Sequence, residues 1–233
     1  MFPIKDNNPS KHFPIINWLI ILVNLAVFIY ELRLPKDEIE PFFNAYGLVP
    51  NEIPAFNVSN LFKHHFTMLL PFLTNTFLHG GFGHFFGNMW TLFIFGDNVE
   101  DKMGHGRYLL FYLLTGILAS ATHFYLYSES GIPAIGASGA ISAVMGAYMI
   151  MFPKAKIVFF VPLFIIIPLF FTIPAFIYLG LWFLAQFYQG YTTLQFTGDA
   201  TGIAFWAHIG GFAAGILLHW LFIRRKKRKR GFI

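Results

Sequence analysis

Apolar positions in this chain gather into long runs separated by short polar stretches, and the runs predict helices that cross a membrane. Six spans emerge, at about 15–32, 82–99, 108–127, 138–152, 173–188 and 203–223. Most approach the ~20 residues needed to cross ~30 Å of hydrocarbon. The stretch 157–171 is also apolar, but it is short and carries Pro162 and Pro168, with Pro174 just beyond. Proline inside a helix removes a hydrogen bond and ends or kinks it. This stretch is therefore read as an interfacial or partly buried connection. Residues 33–81 form a long outer connection, whose apolar segment 68–73 suits the membrane interface. The expected fold is all-α: a polytopic bundle of six transmembrane helices over 1–223, followed by a basic tail, 224–233.

Composition supports that reading. The chain is 56% hydrophobic and 12% charged, with 31 Phe, too apolar for a soluble domain of its size. It has no Cys, which removes disulfide frameworks and zinc–thiolate sites. Charge orients the bundle. With the N-terminus inside, the inner segments hold Lys5, Lys11, Lys102, Arg107, Lys154, Lys156 and the seven-residue block Arg224 to Arg230. The outer segments hold only Arg33, Lys36 and Lys63. That asymmetry places both termini in the cytoplasm. The basic block follows directly on a span, so anionic lipid rather than nucleic acid is its expected partner. The chain is accordingly read as a multi-pass integral protein, placed in a prokaryotic cell membrane.

Polar side chains at membrane depth are costly and mark function by default. Spans two, four and six all run from outside to inside. His84 and Asn88 lie near the start of the second, Ser138 opens the fourth, and His208 is the sixth residue of the last. All four fall near one depth, in the outer half of the membrane. The fourth span, 138–152, reaches about 22 Å at ~1.5 Å per residue, short of ~30 Å of hydrocarbon. A helix ending near Pro153, Lys154 and Lys156 then begins below the outer surface and leaves room for water above Ser138. His84 and Asn88 are four apart and share a helix face. Both can donate hydrogen bonds to a developing oxyanion, as can the Ser138 N–H at a helix start.

Each residue alone has a plainer reading. Ser138 among Gly136, Ala137, Gly139 and Ala140 suits close helix packing, and Gly211 and Gly215 form a GxxxG step. His208, His84 and Asn88 could each bridge helices by a hydrogen bond. Together at one depth they favour a nucleophile and its base. A three-histidine metal site from His79, His84 and His208 is weaker, since no HExxH helix and no intramembrane carboxylate accompany them. An aspartyl protease needs paired carboxylates, whereas Asp199 lies in a loop and Asp97 at the opposite membrane face. Asn57-Val58-Ser59 matches a glycosylation acceptor, a motif common by chance.

At these residues the chain resembles the rhomboid family of intramembrane serine proteases. Gly136-x-Ser138-Gly139 resembles the family's nucleophile motif, and Ala207-His208-x-x-Gly211-x-x-x-Gly215 its base motif. His79, His84, Gly87 and Asn88 resemble its second-helix motif, and Gly96-x-x-x-Glu100 its helix end. The resemblance implies a Ser–His dyad without cofactor or metal: Ser138 as nucleophile, His208 as base, and His84, Asn88 and the Ser138 N–H as the oxyanion hole. It implies single-span membrane proteins as substrates, reached past spans two and five and cut at small residues. Two features depart from the family. The outer connection has no Trp-Arg pair, and Ser142 stands where some bacterial members place an aromatic residue against the histidine. A catalytically inactive client-binding relative, or a small transporter, is the competing class.

Overall fold

Small side chains place one helix at the centre of the molecule. The computed structural model describes residues 2–53, 66–163, 167–196 and 203–224. Their α-helices are α1 (Ile15–Glu31), α2 (Lys36–Tyr46), α3 (Leu70–Thr74), α4 (Phe82–Met103), α5 (His105–Leu126), α6 (Ser138–Met151), α7 (Ala175–Phe196) and α8 (Phe205–Phe222). In α6 every residue from Gly139 to Met149 is buried. Its glycines and alanines bring neighbouring backbones unusually close. A methyl group added to Gly211 would lie 2.0 Å from the Gly139 carbonyl oxygen, and one on Gly215 2.0 Å from that of Ala143. The approach also runs the other way, from Gly146 to the Phe212 carbonyl at 2.3 Å. The GxxxG step is thus the seam between α6 and α8, where small residues permit backbone contact.

Leu92, Phe95, Val99, Tyr108, Phe111, Tyr112 and Tyr148 fill the space around α6 from α4, α5 and α6 itself. Large apolar side chains also face outward: Leu22, Phe86, Leu110, Leu181, Leu184 and Leu217 are all exposed. Contiguous exposed apolar surface on this scale marks an interaction surface, here one suited to lipid. Among the described residues, α5 and α8 have the length and apolarity of a membrane span, while α1 and α6 are apolar but shorter.

The six long helices follow the six apolar runs, with shifted ends. The fourth helix continues to Met103, because Glu100 is used inside the fold. Its buried carboxylate accepts the backbone N–H of Ile16 at 3.0 Å and of Asn17 at 2.8 Å, and bonds the His105 ring. It thereby satisfies orphan donors in the first turn of α1 and ties α1, α4 and α5 together. Gly96 lets Asn17 and the Tyr108 hydroxyl pass across the helix beside it. The Gly96-x-x-x-Glu100 motif is a packing lock.

The all-α expectation is corrected by a three-stranded antiparallel sheet in the order β1 (Phe2–Asp6), β2 (Lys156–Leu163) and β3 (Ile167–Pro174). The described residues of the apolar stretch 157–171, read as an interfacial or partly buried connection, belong instead to the antiparallel strands β2 and β3, with Val158 opposite Thr172 and Phe160 opposite Phe170. Its β-branched and aromatic residues favour strands. Its prolines, Pro162 and Pro168, face each other near the far end, and Pro174 closes β3. The sheet lies between α4 and α7. Trp90 donates its indole N–H to the Pro3 carbonyl at 2.6 Å, and Phe159 packs edge-on against Tyr178 at 4.9 Å. Asp6 takes bonds from the Tyr148 hydroxyl and from Asn98, while burial pushes its carboxyl above the ordinary range. Pro174 belongs to β3, so the fifth long helix begins at Ala175 rather than 173 and runs on to Phe196. Asn57-Val58-Ser59, Lys63, Asp199, residues 164–166 and the basic tail beyond Arg224 lie outside the described residues.

Candidate active site

The chain reaches Ser138 through Gly136, whose φ of +128° lies in the region that favours glycine. The Gly136 N–H is held by the Asn75 carbonyl at 2.8 Å, and the Asn75 side chain bonds Ser120 of α5. Ala137 then turns into helical geometry and Ser138 opens α6. Ser138 therefore stands where a helix dipole favours negative charge.

The seam between α6 and α8 sets the partner. Gly211 seats on Gly139, and His208 lies one turn before Gly211, so its ring falls opposite the start of α6. His208 Nε2 lies 2.7 Å from Ser138 Oγ. A base at that distance can take the hydroxyl proton as the oxygen attacks. The other ring nitrogen, Nδ1, is 2.7 Å from Gln186 Oε1 on α7. Trp182, one turn earlier on α7, sets its ring 6.0 Å from the imidazole, and Phe205 meets it edge-on at 6.4 Å.

These side chains open on one cavity of about 310 Å³ among α4, α6, α7 and α8, lined by Asn88, Ser138, Trp182, Gln186, Gln189 and His208 among others. Asn88 is buried, and its Nδ2 finds no hydrogen-bond partner among the described residues. A buried donor left free beside a nucleophile is poised for charge that develops during reaction.

His84 stands differently. It packs against Gly136, where an added methyl group would lie 2.6 Å from its Nε2 and 3.6 Å from Ser138 Oγ. The sequence-predicted residues are thus brought together, with His84 reaching the nucleophile's side of Gly136 rather than the cavity lining. His79 is buried behind it. Its ring sits 5.2 Å from that of His84, and its backbone N–H bonds the Glu31 carboxylate. Among the described residues no three His, Cys, Asp or Glu side chains gather as a metal site.

Sequence reasoning missed Gln186 and Trp182. The signal was present: Gln186 is an amide in the apolar run Leu184-Ala185-Gln186-Phe187-Tyr188, and a polar side chain in such a run warrants a functional reading. Ser142 does not reach toward the histidine. Its hydroxyl donates to the Ser138 carbonyl at 2.6 Å.

The fold and the site define a helical membrane-protein class with a serine–histidine pair between its central and last helices. Residues 67–225 match the family model of the rhomboid domain, and the chain belongs to the rhomboid family. It is similar to the chloroplast rhomboid-like protein 11 of Arabidopsis thaliana, 31% identical over 138 residues, covering 59% of this chain and 42% of that protein. It is also similar to the mitochondrial rhomboid protein 1 of Saccharomyces cerevisiae, 27% identical over 174 residues, covering 72% of this chain and 46% of the yeast protein. The human mitochondrial presenilin-associated rhomboid-like protein is 29% identical over 97 residues, 40% of this chain and 26% of its own length. The chain thus spans less than half the length of these relatives. They come from plant, yeast and mammalian organelles, so similarity does not single out a prokaryotic membrane.

Proposed function

We propose that this protein is an intramembrane serine endopeptidase. Ser138 attacks the scissile carbonyl and His208 takes its proton. Asn88, the Ser138 N–H and His84 steady the oxyanion. The observation that carries the reading is the 2.7 Å bond between His208 Nε2 and Ser138 Oγ at the wall of a cavity that Asn88 and Gln186 also line. Membership of the rhomboid family and the apolar exterior support it. In this reading the six long helices are the spans and both termini are cytoplasmic, following the charge asymmetry. Substrates are single-span membrane proteins that approach between α4 and α7, the flank against which the β-sheet lies.

A fluorophosphonate, which reacts covalently with activated serines, tests the proposal. The purified wild type should label and Ser138→Ala should not. Equal labelling, or none in either, would return the chain to the class of inactive client-binding relatives.

A further inference from the structure

A serine–histidine dyad leaves one question for the protein to answer: which imidazole nitrogen carries the proton. Only the tautomer protonated on Nδ1 leaves Nε2 bare to accept from the serine. In serine triads an acid on the far side of the ring selects that tautomer. Here the far side faces α7. Among the described residues, the groups hydrogen-bonded to the His208 ring are Ser138 Oγ from α6 and Gln186 Oε1 from α7, both at 2.7 Å, and the titratable groups that act on it electrostatically are His84 of α4 and His123 of α5. Trp182 and Phe205 pack their rings against the imidazole. A carboxamide oxygen only accepts. The proton on Nδ1 is therefore held there, and Nε2 is turned as an acceptor toward Ser138.

We propose that Gln186 is the positioning residue of this site, a neutral third member that fixes the tautomer and the ring plane of His208. The inference rests on the protease reading of the same site. Trp182 completes the arrangement: four residues before Gln186, it projects from the same face of α7 and packs on the imidazole. An amide suits this depth better than a carboxylate, since it orients the ring without a buried charge. The dyad thus draws on three helices. Ser142 takes no part in holding the ring, since its hydroxyl donates to the Ser138 carbonyl.

The test uses the full-length protein with Gln186→Leu and Gln186→Glu. Leucine keeps the bulk and removes the acceptor. Fluorophosphonate labelling and kcat should fall at least tenfold, and by no more than the ~10⁴-fold that follows loss of the orienting group in a serine triad. KM should stay close to the wild-type value, as expected when only transition-state stabilisation is lost. Glutamate keeps the acceptor and adds charge. It should retain activity and move the acid limb of the rate–pH profile upward by about one to three pH units. A raised KM with unchanged kcat in the leucine variant would make Gln186 a substrate contact and overturn the proposal. So would a leucine variant as fast as the wild type, or a glutamate profile superimposable on it. If the leucine variant fails to fold, the glutamate profile alone decides.

A further readout needs no turnover. In ¹⁵N-histidine-labelled protein, with the His208 signals assigned by their loss in His208→Ala, the proton should sit on Nδ1 in the wild type. That preference should weaken in Gln186→Leu. A wild-type proton on Nε2 would overturn the proposal even if the chain cleaves nothing. Absence of labelling in the wild type with the proton on Nδ1 would instead refute the protease reading and leave the positioning role standing.

Discussion

Replacing Gly211 by alanine tests whether the seam between α6 and α8 aligns the dyad. The new methyl group would stand 2.0 Å from the Gly139 carbonyl oxygen, where ordinary contact begins at 3.4 Å. Its neighbour is backbone inside a helix, so no side chain can swing aside and the two helices must part by about an ångström. Overpacking of this kind costs about 1–3 kcal/mol, which a folded bundle can survive. The dyad is more sensitive. Ser138 adjoins Gly139 and His208 lies one turn before Gly211, so the displacement falls directly on the 2.7 Å bond between them. Lengthened by about an ångström, that contact leaves hydrogen-bonding range, and a misplacement of this size lowers rate about 10²-fold. The assay is the initial rate of fluorophosphonate labelling, with thermal unfolding in detergent recorded on the same samples. Gly180→Ala on α7 is the control, because nothing among the described residues lies within 4 Å of its added carbon; it should label at the wild-type rate. A folded Gly211→Ala protein that also labels at that rate would refute the claim that this close approach sets the dyad.

Four further outcomes follow from the geometry. Ser138→Ala and His208→Ala should each abolish cleavage to the same extent, since members of one catalytic unit are not additive; a residual rate in one but not the other, measured in single-turnover cleavage, would contradict this. Asn88→Ala should lower kcat by roughly 10²–10³-fold, the loss of one oxyanion donor, and a loss as complete as that of Ser138→Ala would remove Asn88 from that role. Glu100→Ala leaves two backbone N–H groups at the start of α1 without their acceptor and should lower unfolding free energy by about 3 kcal/mol, read by denaturant titration in mixed micelles; a change below about 1 kcal/mol would show that the lock is dispensable. Because the base must be neutral to accept a proton, the cleavage rate should fall on acidification through a single titration, and a flat profile from pH 4 to 8 would count against His208.

The helices and the dyad were legible because each carries a local signal. Runs of apolar residues mark α1 and α4 to α8. Charge at the ends predicts a direction for each run, and that predicted direction puts Ser138, His208 and Asn88 near one depth. The small residues from Gly136 to Ala140, with Gly211 and Gly215, announce the close packing that joins two of them. The sheet was illegible because its signal is nonlocal. The strand Phe2–Asp6 pairs with residues more than 150 positions away, and nothing in its polar, proline-containing surroundings announces a partner. In β2 and β3 the apolar residues do not alternate with polar ones, so the period that identifies a strand is missing, and the prolines argue against a helix and for an interfacial or partly buried connection. The partners of Glu100 and Gln186 were hidden for another reason. A buried polar residue tells the reader that it has a partner, but which backbone amides or which ring it meets depends on helix rotations that a single sequence does not encode.

The central claim is proteolysis by Ser138 and His208, and cleavage of a single-span membrane protein in reconstituted liposomes tests it most directly. Candidate substrates carrying small residues near the outer end of the span should yield two fragments with the wild type, their new termini read by mass spectrometry. The same liposomes should yield none with Ser138→Ala or His208→Ala. Fragments appearing at the same rate with Ser138→Ala would contradict the account.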